Sequence, residues 1–300
     1  MIAVIIICIV VILLGLFLSI PLVVLHKSFD KHINFNRIWT GDEFNVEEDH
    51  FFLTTDDGLK ISVYEVVVEN PRGVIVCMGG MFTPSATIYL AHARLFKENG
   101  YATIMFDMRA HGESDGDRIC LGYKEPLDVK AVVKYIKEKP SYNNVPIVVM
   151  GLSMGAVTAI NSMGEMPEID GVISLSAYSS YEDIFYENMV KQSPRLLSRI
   201  VKIFVPLAVR IKYKVNPYLI KPVKEIKKIG NRPVLLMHTK GDTDASFENF
   251  ERILKEAPGH VETFVRKGNY HSIILHNVFI QPERDVEYAN CLLGFLSRHF

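Results

Sequence analysis

From Ile2 to Leu25 no side chain is charged and nearly every position is apolar. A helix needs about 20 such residues to cross the hydrocarbon of a bilayer, so this run predicts a transmembrane anchor over 1–25. A cleaved signal peptide is the rival. It would carry Lys or Arg ahead of the apolar run and a small-residue cleavage site behind it, and neither is present. The nearest basic residues, Lys27, Lys31 and Arg37, all follow the run. The positive-inside rule then places the rest of the chain on the cytoplasmic side. Residues 26–49 show mixed charge and no period, and read as a linker.

Beyond residue 50 the pattern becomes strand and helix in alternation. Residues 50–55 and 60–68 are β-rich runs around Asp56-Asp57-Gly58-Leu59, a hairpin signal. Residues 73–78, 101–106, 146–150, 171–176 and 233–238 are short apolar runs, as expected of strands buried on both faces. Between them lie helical stripes, such as Leu127, Ala131, Val132, Tyr135 and Ile136. A further strand is expected over 260–266 and a last helix over about 283–298. Alternation of this kind predicts an α/β fold, a mostly parallel sheet covered by helices on both faces. The rhythm breaks between 181 and 230, which reads as a helical insertion in a single domain spanning 50–300.

Composition narrows the class. The formal net charge is −1, so no global field draws the chain to nucleic acid. Cys8, Cys77, Cys120 and Cys291 are scattered without the spacing of a disulfide framework, which suits a reducing compartment. There is no zinc-like Cys/His cluster, no Walker loop and no internal repeat. No metal or organic cofactor is implied.

The stretch with chemistry in it is Gly151-Leu152-Ser153-Met154-Gly155, set between an apolar strand and Ala156 to Ile160. In such an elbow the serine stands exposed at a sharp strand-to-helix turn. The N–H of Met154 lies at a helix start, where negative charge is favoured, and so is a candidate oxyanion donor. A serine needs a base, and the base needs an orienting group. In open α/β sheets these sit on loops after the strands. Asp242 follows the strand ending at His238, with Asp244 as its rival. His271 follows the last strand, with His276 as its rival. Serine, acid, histidine in chain order is the order of the α/β-hydrolase triad.

Four motifs carry a resemblance over about residues 50–300. They are Gly-Leu-Ser-Met-Gly at 151–155, Asp107-Met108-Arg109-Ala110-His111-Gly112-Glu113-Ser114-Asp115-Gly116, His238 to Asp242, and Asn269-Tyr270-His271. Together they resemble the α/β-hydrolases of the serine aminopeptidase and monoacylglycerol-lipase-like group, and are similar to the membrane-tethered Bem46-like hydrolases. The resemblance implies Ser153 as nucleophile, Asp242 as acid and His271 as base. It makes the loop holding His111 structural, despite its long and specific motif.

There are two departures. Thr239 stands where the acid loop usually has glycine, and Met78 stands where the family has histidine before Gly79-Gly80. By register Gly80 is the second oxyanion donor, with Met81 as the alternative. The insertion 181–230 corresponds to the family's cap. Residues 191–228 carry a local charge of +10, with Leu196 to Ile211 forming an apolar stripe in which Pro206 is an expected kink. That combination is a membrane-surface signature, and also the pattern of an ordinary lid with a solvated basic face.

The expectation is a membrane-anchored serine hydrolase cleaving a carboxylic ester with an acyl chain, lipase- or esterase-like, through an acyl-enzyme. Its partners would be the ester substrate and the membrane, with no nucleic acid. A peptidase or thioesterase with the same triad is the alternative. So is a catalytically silent binding module on the same fold.

Overall fold

The computed structural model describes residues 1–275 and 279–300. Its eight strands are β1 (Asp49–Thr54), β2 (Lys60–Val66), β3 (Gly73–Met78), β4 (Tyr101–Phe106), β5 (Ile147–Leu152), β6 (Gly171–Leu175), β7 (Val234–Thr239) and β8 (Glu262–Arg266). Its helices are α1 (Ile2–Phe29), α2 (Leu90–Glu98), α3 (Pro126–Glu138), α4 (Met154–Glu165), α5 (Tyr181–Val190), α6 (Arg195–Tyr213), α7 (Pro222–Glu225), α8 (Phe247–Glu256) and α9 (Val286–His299). The strands form one sheet in the order β1-β2-β4-β3-β5-β6-β7-β8. β1 and β2 form the expected hairpin at one edge, with Gly58 at φ +87° in its turn. From β4 through β8 every neighbouring pair is parallel.

The apolar runs are buried at every position of β3, β4, β5, β6 and β7, while the edge strand β8 alternates. Successive side chains of a strand point to opposite faces, and the two faces carry separate cores. Val74, Val76 and Met78 of β3 pack with α3 and α4 residues such as Val132, Ile136, Val157 and Ile160. Ile75 and Cys77 pack with Phe96 of α2 and with Leu292, Phe295 and Leu296 of α9. The insertion forms α5, α6 and α7, and α6 continues through Pro206.

The N-terminal part differs from the sequence reading. α1 runs on past Leu25 to Phe29, and it is long and apolar enough to cross a membrane. Residues 30–48 do not hang free between α1 and the sheet. Ile33 pairs with the backbone of 110–112, His32 contacts the carbonyls of Gly112 and Gly116, and the Trp39 N–H donates to Thr87 Oγ1. Trp39, Phe44 and Val46 of this segment are buried in the core on the α2 and α9 side of the sheet, at spacings that follow neither a helical nor a strand period.

The long 107–116 motif is a structural brace. Arg109, 3 % exposed, donates to both oxygens of the fully buried Asp128 and to the partly exposed Asp57. That joins the loop after β4 to α3 and to the β1–β2 turn. Removing one member of a buried pair leaves the other charge uncompensated, which costs about 3–5 kcal/mol. Asp128→Ala should lower the unfolding free energy by about that much in a denaturant titration. Asp57→Ala, at the wetter end of the same guanidinium, should cost clearly less.

Candidate active site

The elbow forms because three backbone segments meet with no room for side chains. A Cβ on Gly151 would lie 2.2 Å from the Gly155 carbonyl carbon, and one on Gly155 would lie 2.4 Å from the Gly79 oxygen. Between those glycines Ser153 adopts φ 55°, ψ −114°, a strained conformation for a residue with a Cβ. Its N–H donates to Leu175 O at 2.8 Å, tying the turn to the end of β6. Its hydroxyl is partly exposed and makes no hydrogen bond among the described residues. α4 starts at Met154, so the Met154 N–H is one of the four that an α-helix leaves without an intrahelical acceptor.

The acid and the histidine arrive together because β7 and β8 are neighbours whose C-terminal loops are stitched to each other. The Lys240 N–H donates to Arg266 O, and the Gly241 N–H to Gly268 O at 2.7 Å. Thr239 Oγ1 donates to Tyr270 O at 2.9 Å. Thr239 therefore puts a hydroxyl clamp where the family motif has glycine. These contacts set His271 Nδ1 2.8 Å from Asp242 Oδ2. A carboxylate only accepts, so Nδ1 carries the proton and Nε2 is left as the basic nitrogen. Asp242 Oδ1 accepts from the N–H groups of Asp244 and Ala245. Burial works against the Asp242 charge, but the His271 hydrogen bond and charge and these backbone donors outweigh it. They hold the carboxyl below its usual range.

Asp244, the rival acid, is exposed, and Ser246 rather than Asp244 is the N-cap residue of α8. The rival His276 lies outside the described residues. His238, read from sequence only as the end of a strand, backs the acid. Its Nε2 donates to Ala245 O at 2.9 Å and lies 3.5 Å from Asp242 Oδ2. Burial lowers its pKa and keeps it neutral.

On the other side of the serine, a Cβ on Gly80 would lie 3.2 Å from Ser153 Cβ, so the Gly80 loop lies against Ser153. The Gly80 N–H is already engaged, donating to Thr83 Oγ1 at 2.6 Å. Nothing in the sequence pattern signals that contact. His111 is buried. Its two ring nitrogens contact Arg109 O and Met81 O at 2.9 and 3.0 Å, so it shapes the loop beside Gly80. Burial pushes the neighbouring Asp107 carboxyl up to about 7. Among the described residues no group of His, Cys, Asp and Glu is disposed to hold a metal ion.

A strained serine after a central strand, with an aspartate–histidine pair carried by strands further along the same sheet, defines an α/β-hydrolase. Residues 69–231 match the model of the family described as serine aminopeptidase, S33, and the chain belongs to that family. The uncharacterized Bacillus subtilis (strain 168) protein YqkD is 25 % identical over 272 residues, covering 88 % of this chain and 87 % of its own. The Pyrococcus furiosus esterase Pf2001 superposes with a TM-score of 0.66 at 26 % identity, covering 90 % of this chain and 98 % of that one. The α/β hydrolase GrgF from Penicillium sp. sh18 shares the fold, with a TM-score of 0.65 at 18 % identity over 85 % of this chain and 99 % of its own.

The Thr83 contact makes a testable case. An N–H held by Thr83 must be released before it can serve an oxyanion, and one such hydrogen bond is worth about 0.5–1.5 kcal/mol. Thr83→Val should therefore raise kcat by about two- to tenfold on a small ester. The check is steady-state kinetics beside the wild type.

Proposed function

We propose that this protein is a membrane-anchored serine hydrolase that cleaves a carboxylic ester bearing an acyl chain. The observation that carries the reading is the His271–Asp242 pair at 2.8 Å, on the same sheet as the strained Ser153. In this mechanism His271 Nε2 takes the Ser153 proton as Oγ attacks the ester carbonyl. The oxyanion is held by the N–H groups of Met154 and Gly80, the latter exchanging Thr83 Oγ1 for the new charge. His271 then gives its proton to the leaving alcohol, leaving an acyl-enzyme. Water deprotonated by the same nitrogen releases the acid. Asp242, ionised and held by two backbone donors, fixes the tautomer and stabilises the imidazolium.

Ester hydrolysis is favoured by the likeness to the Pyrococcus furiosus esterase over most of both chains. Peptide hydrolysis is the second reading, because the family is described as serine aminopeptidase. The triad alone fixes acyl transfer and not the leaving group. The membrane part of the proposal rests on α1, whose residues from Ile2 to Leu16 are all exposed or nearly so, and on the basic residues that follow it.

A fluorophosphonate probe should label the wild type and leave Ser153→Ala unlabelled. Equal labelling of the two would remove Ser153 from the mechanism. Asp242→Asn should lower turnover on the order of 10⁴-fold, as loss of the orienting carboxylate does in other triads. Asp244→Asn should leave turnover within a few-fold of wild type, and the reverse order would reassign the acid.

Protease added to sealed vesicles of known orientation should reach the folded domain only from the cytoplasmic face. Digestion from the opposite face would invert the topology. A mature N-terminus beyond about residue 20 would replace the anchor with a cleaved signal.

A further inference from the structure

The end of α5 reaches the loop that carries Asp242 at two points. Glu187 and its C-terminal neighbour Lys191 stand about one helical turn apart, so both side chains leave the helix on the same face. Lys191 Nζ donates to Thr243 O at 2.9 Å. Glu187 Oε2 accepts from the Ser246 N–H at 3.2 Å. Between these two grips lie Asp244 and Ala245, whose N–H groups donate to Asp242 Oδ1 at 2.8 and 3.0 Å. The stretch from Thr243 to Ser246 is therefore held at both ends from α5, and its middle holds Asp242.

The two grips differ in strength. The Glu187 side chain is only 15 % exposed. Its two oxygens also accept from Asn249 Nδ2, at 3.0 and 2.9 Å, and one accepts from Arg252 Nη1 at 3.2 Å. Asn249 is fully buried in the first turn of α8, and its Oδ1 accepts from both the N–H and the hydroxyl of Ser179, just after β6. The Glu187 carboxylate thus sits at the start of α8, where negative charge is favoured, against a partner that is itself fixed to the sheet. Lys191 is exposed, so its hydrogen bond is exchanged against water and is the weaker of the two.

We infer that Glu187 and Lys191 are positioning residues for Asp242. By fixing the 243–246 loop they keep the Asp244 and Ala245 N–H groups aimed at Oδ1, and so keep Oδ2 on His271. This deepens the hydrolase reading above and rests on it. The carboxylate of a triad must hold the imidazole in one tautomer and one orientation. With Oδ1 tied to two backbone donors, Asp242 cannot turn about its Cβ–Cγ bond without breaking both. When the loop loosens, that restraint goes, and the imidazole loses its fixed orientation. Orientation of the base bears on the chemical step, so the loss falls on kcat and leaves KM in place. The insertion therefore bears on turnover through Asp242, from a helix that supplies no reacting group.

The test uses the full chain in detergent micelles, isotopically labelled at histidine nitrogen, with active sites counted by fluorophosphonate titration. The wild type is expected to show a far-downfield proton resonance from His271 Nδ1–H, the signature of its bond to Asp242, assigned by its absence in His271→Ala. Glu187→Ala should broaden or remove that resonance and lower kcat about ten- to a hundredfold on a small ester, as displacement of an aligned group does, with KM little changed. Lys191→Met should act in the same direction, lowering kcat by about two- to tenfold. Its exposed position lets it carry the test if Glu187→Ala fails to fold. Glu187→Gln keeps an oxygen for the Ser246 N–H, and should restore the resonance and most of the turnover. Arg252→Gln removes a donor to the same carboxylate from further along α8. It should lower the melting temperature while leaving the resonance and kcat as in the wild type. A wild-type resonance and kcat in both Glu187→Ala and Lys191→Met overturns the proposal and leaves Ser153, Asp242 and His271 in their roles. An equal loss of kcat in Arg252→Gln and Glu187→Ala would trace the effect to stability and overturn it as well. A wild type with neither the resonance nor labelling by the probe would remove the hydrolase reading, and this inference with it.

Discussion

The close approach of backbone to backbone at the elbow is the constraint on which the site depends. The first turn of α4 rests on the ends of β3 and β5 with nothing but glycine between them, and a Cβ at Gly155 would meet both the Gly79 and Met78 carbonyl oxygens within 3 Å. A conformation such as that of Ser153 costs on the order of 1–3 kcal/mol and survives only where its surroundings over-determine it. Here the Leu175 carbonyl, the helix that begins one residue later and the Gly80 loop all do so. Ser153, the Met154 N–H and the Gly80 peptide are therefore held together by backbone contacts.

Asp242 and His271 form a second unit, assembled by a different device. The 239–242 loop and the 266–271 loop are joined by two backbone hydrogen bonds and the Thr239 hydroxyl before the side chains of Asp242 and His271 meet. The sheet then sets the distance between the two units, since β6 lies between the strand of the serine and the strand of the acid. The placing of Ser153 relative to the Asp242–His271 pair is a property of parallel-sheet register. It follows that Asp242 need not find His271 by its own flexibility. Its second oxygen can be spent on Asp244 and Ala245, which stiffens the pair further.

What was legible in the sequence was whatever repeats with a period or sits at a strand end. The buried strands, the α3 stripe, the elbow and the two loops bearing Asp242 and His271 all follow from apolar runs and turn residues. What was not legible depends on which distant loops become neighbours. His32 contacts the carbonyls of Gly112 and Gly116, about eighty positions away, and no local pattern announces it. The same holds for Thr83 on the Gly80 N–H and for His238 behind Asp242. Thr239 is an intermediate case. It was visible as a departure from the family motif, but its purpose became clear only once Tyr270 O was placed beside it.

Asp30 shows how far the N-terminal segment is built into the enzyme. It accepts from His26 on α1, from Arg118 on the loop leading to α3, and from Lys212 on α6. Burial opposes its charge, and the hydrogen bonds of Lys212, His26 and Arg118 overcome this, lowering the carboxyl to about 2. One ionised carboxylate thus fastens α1, the 118 loop and α6 together at a point where Leu25 and Phe29 also enter the cluster around α6. If the cap swung away as a rigid body, Asp30 would lose its Lys212 partner and the face of α6 that packs against α1 would be bared.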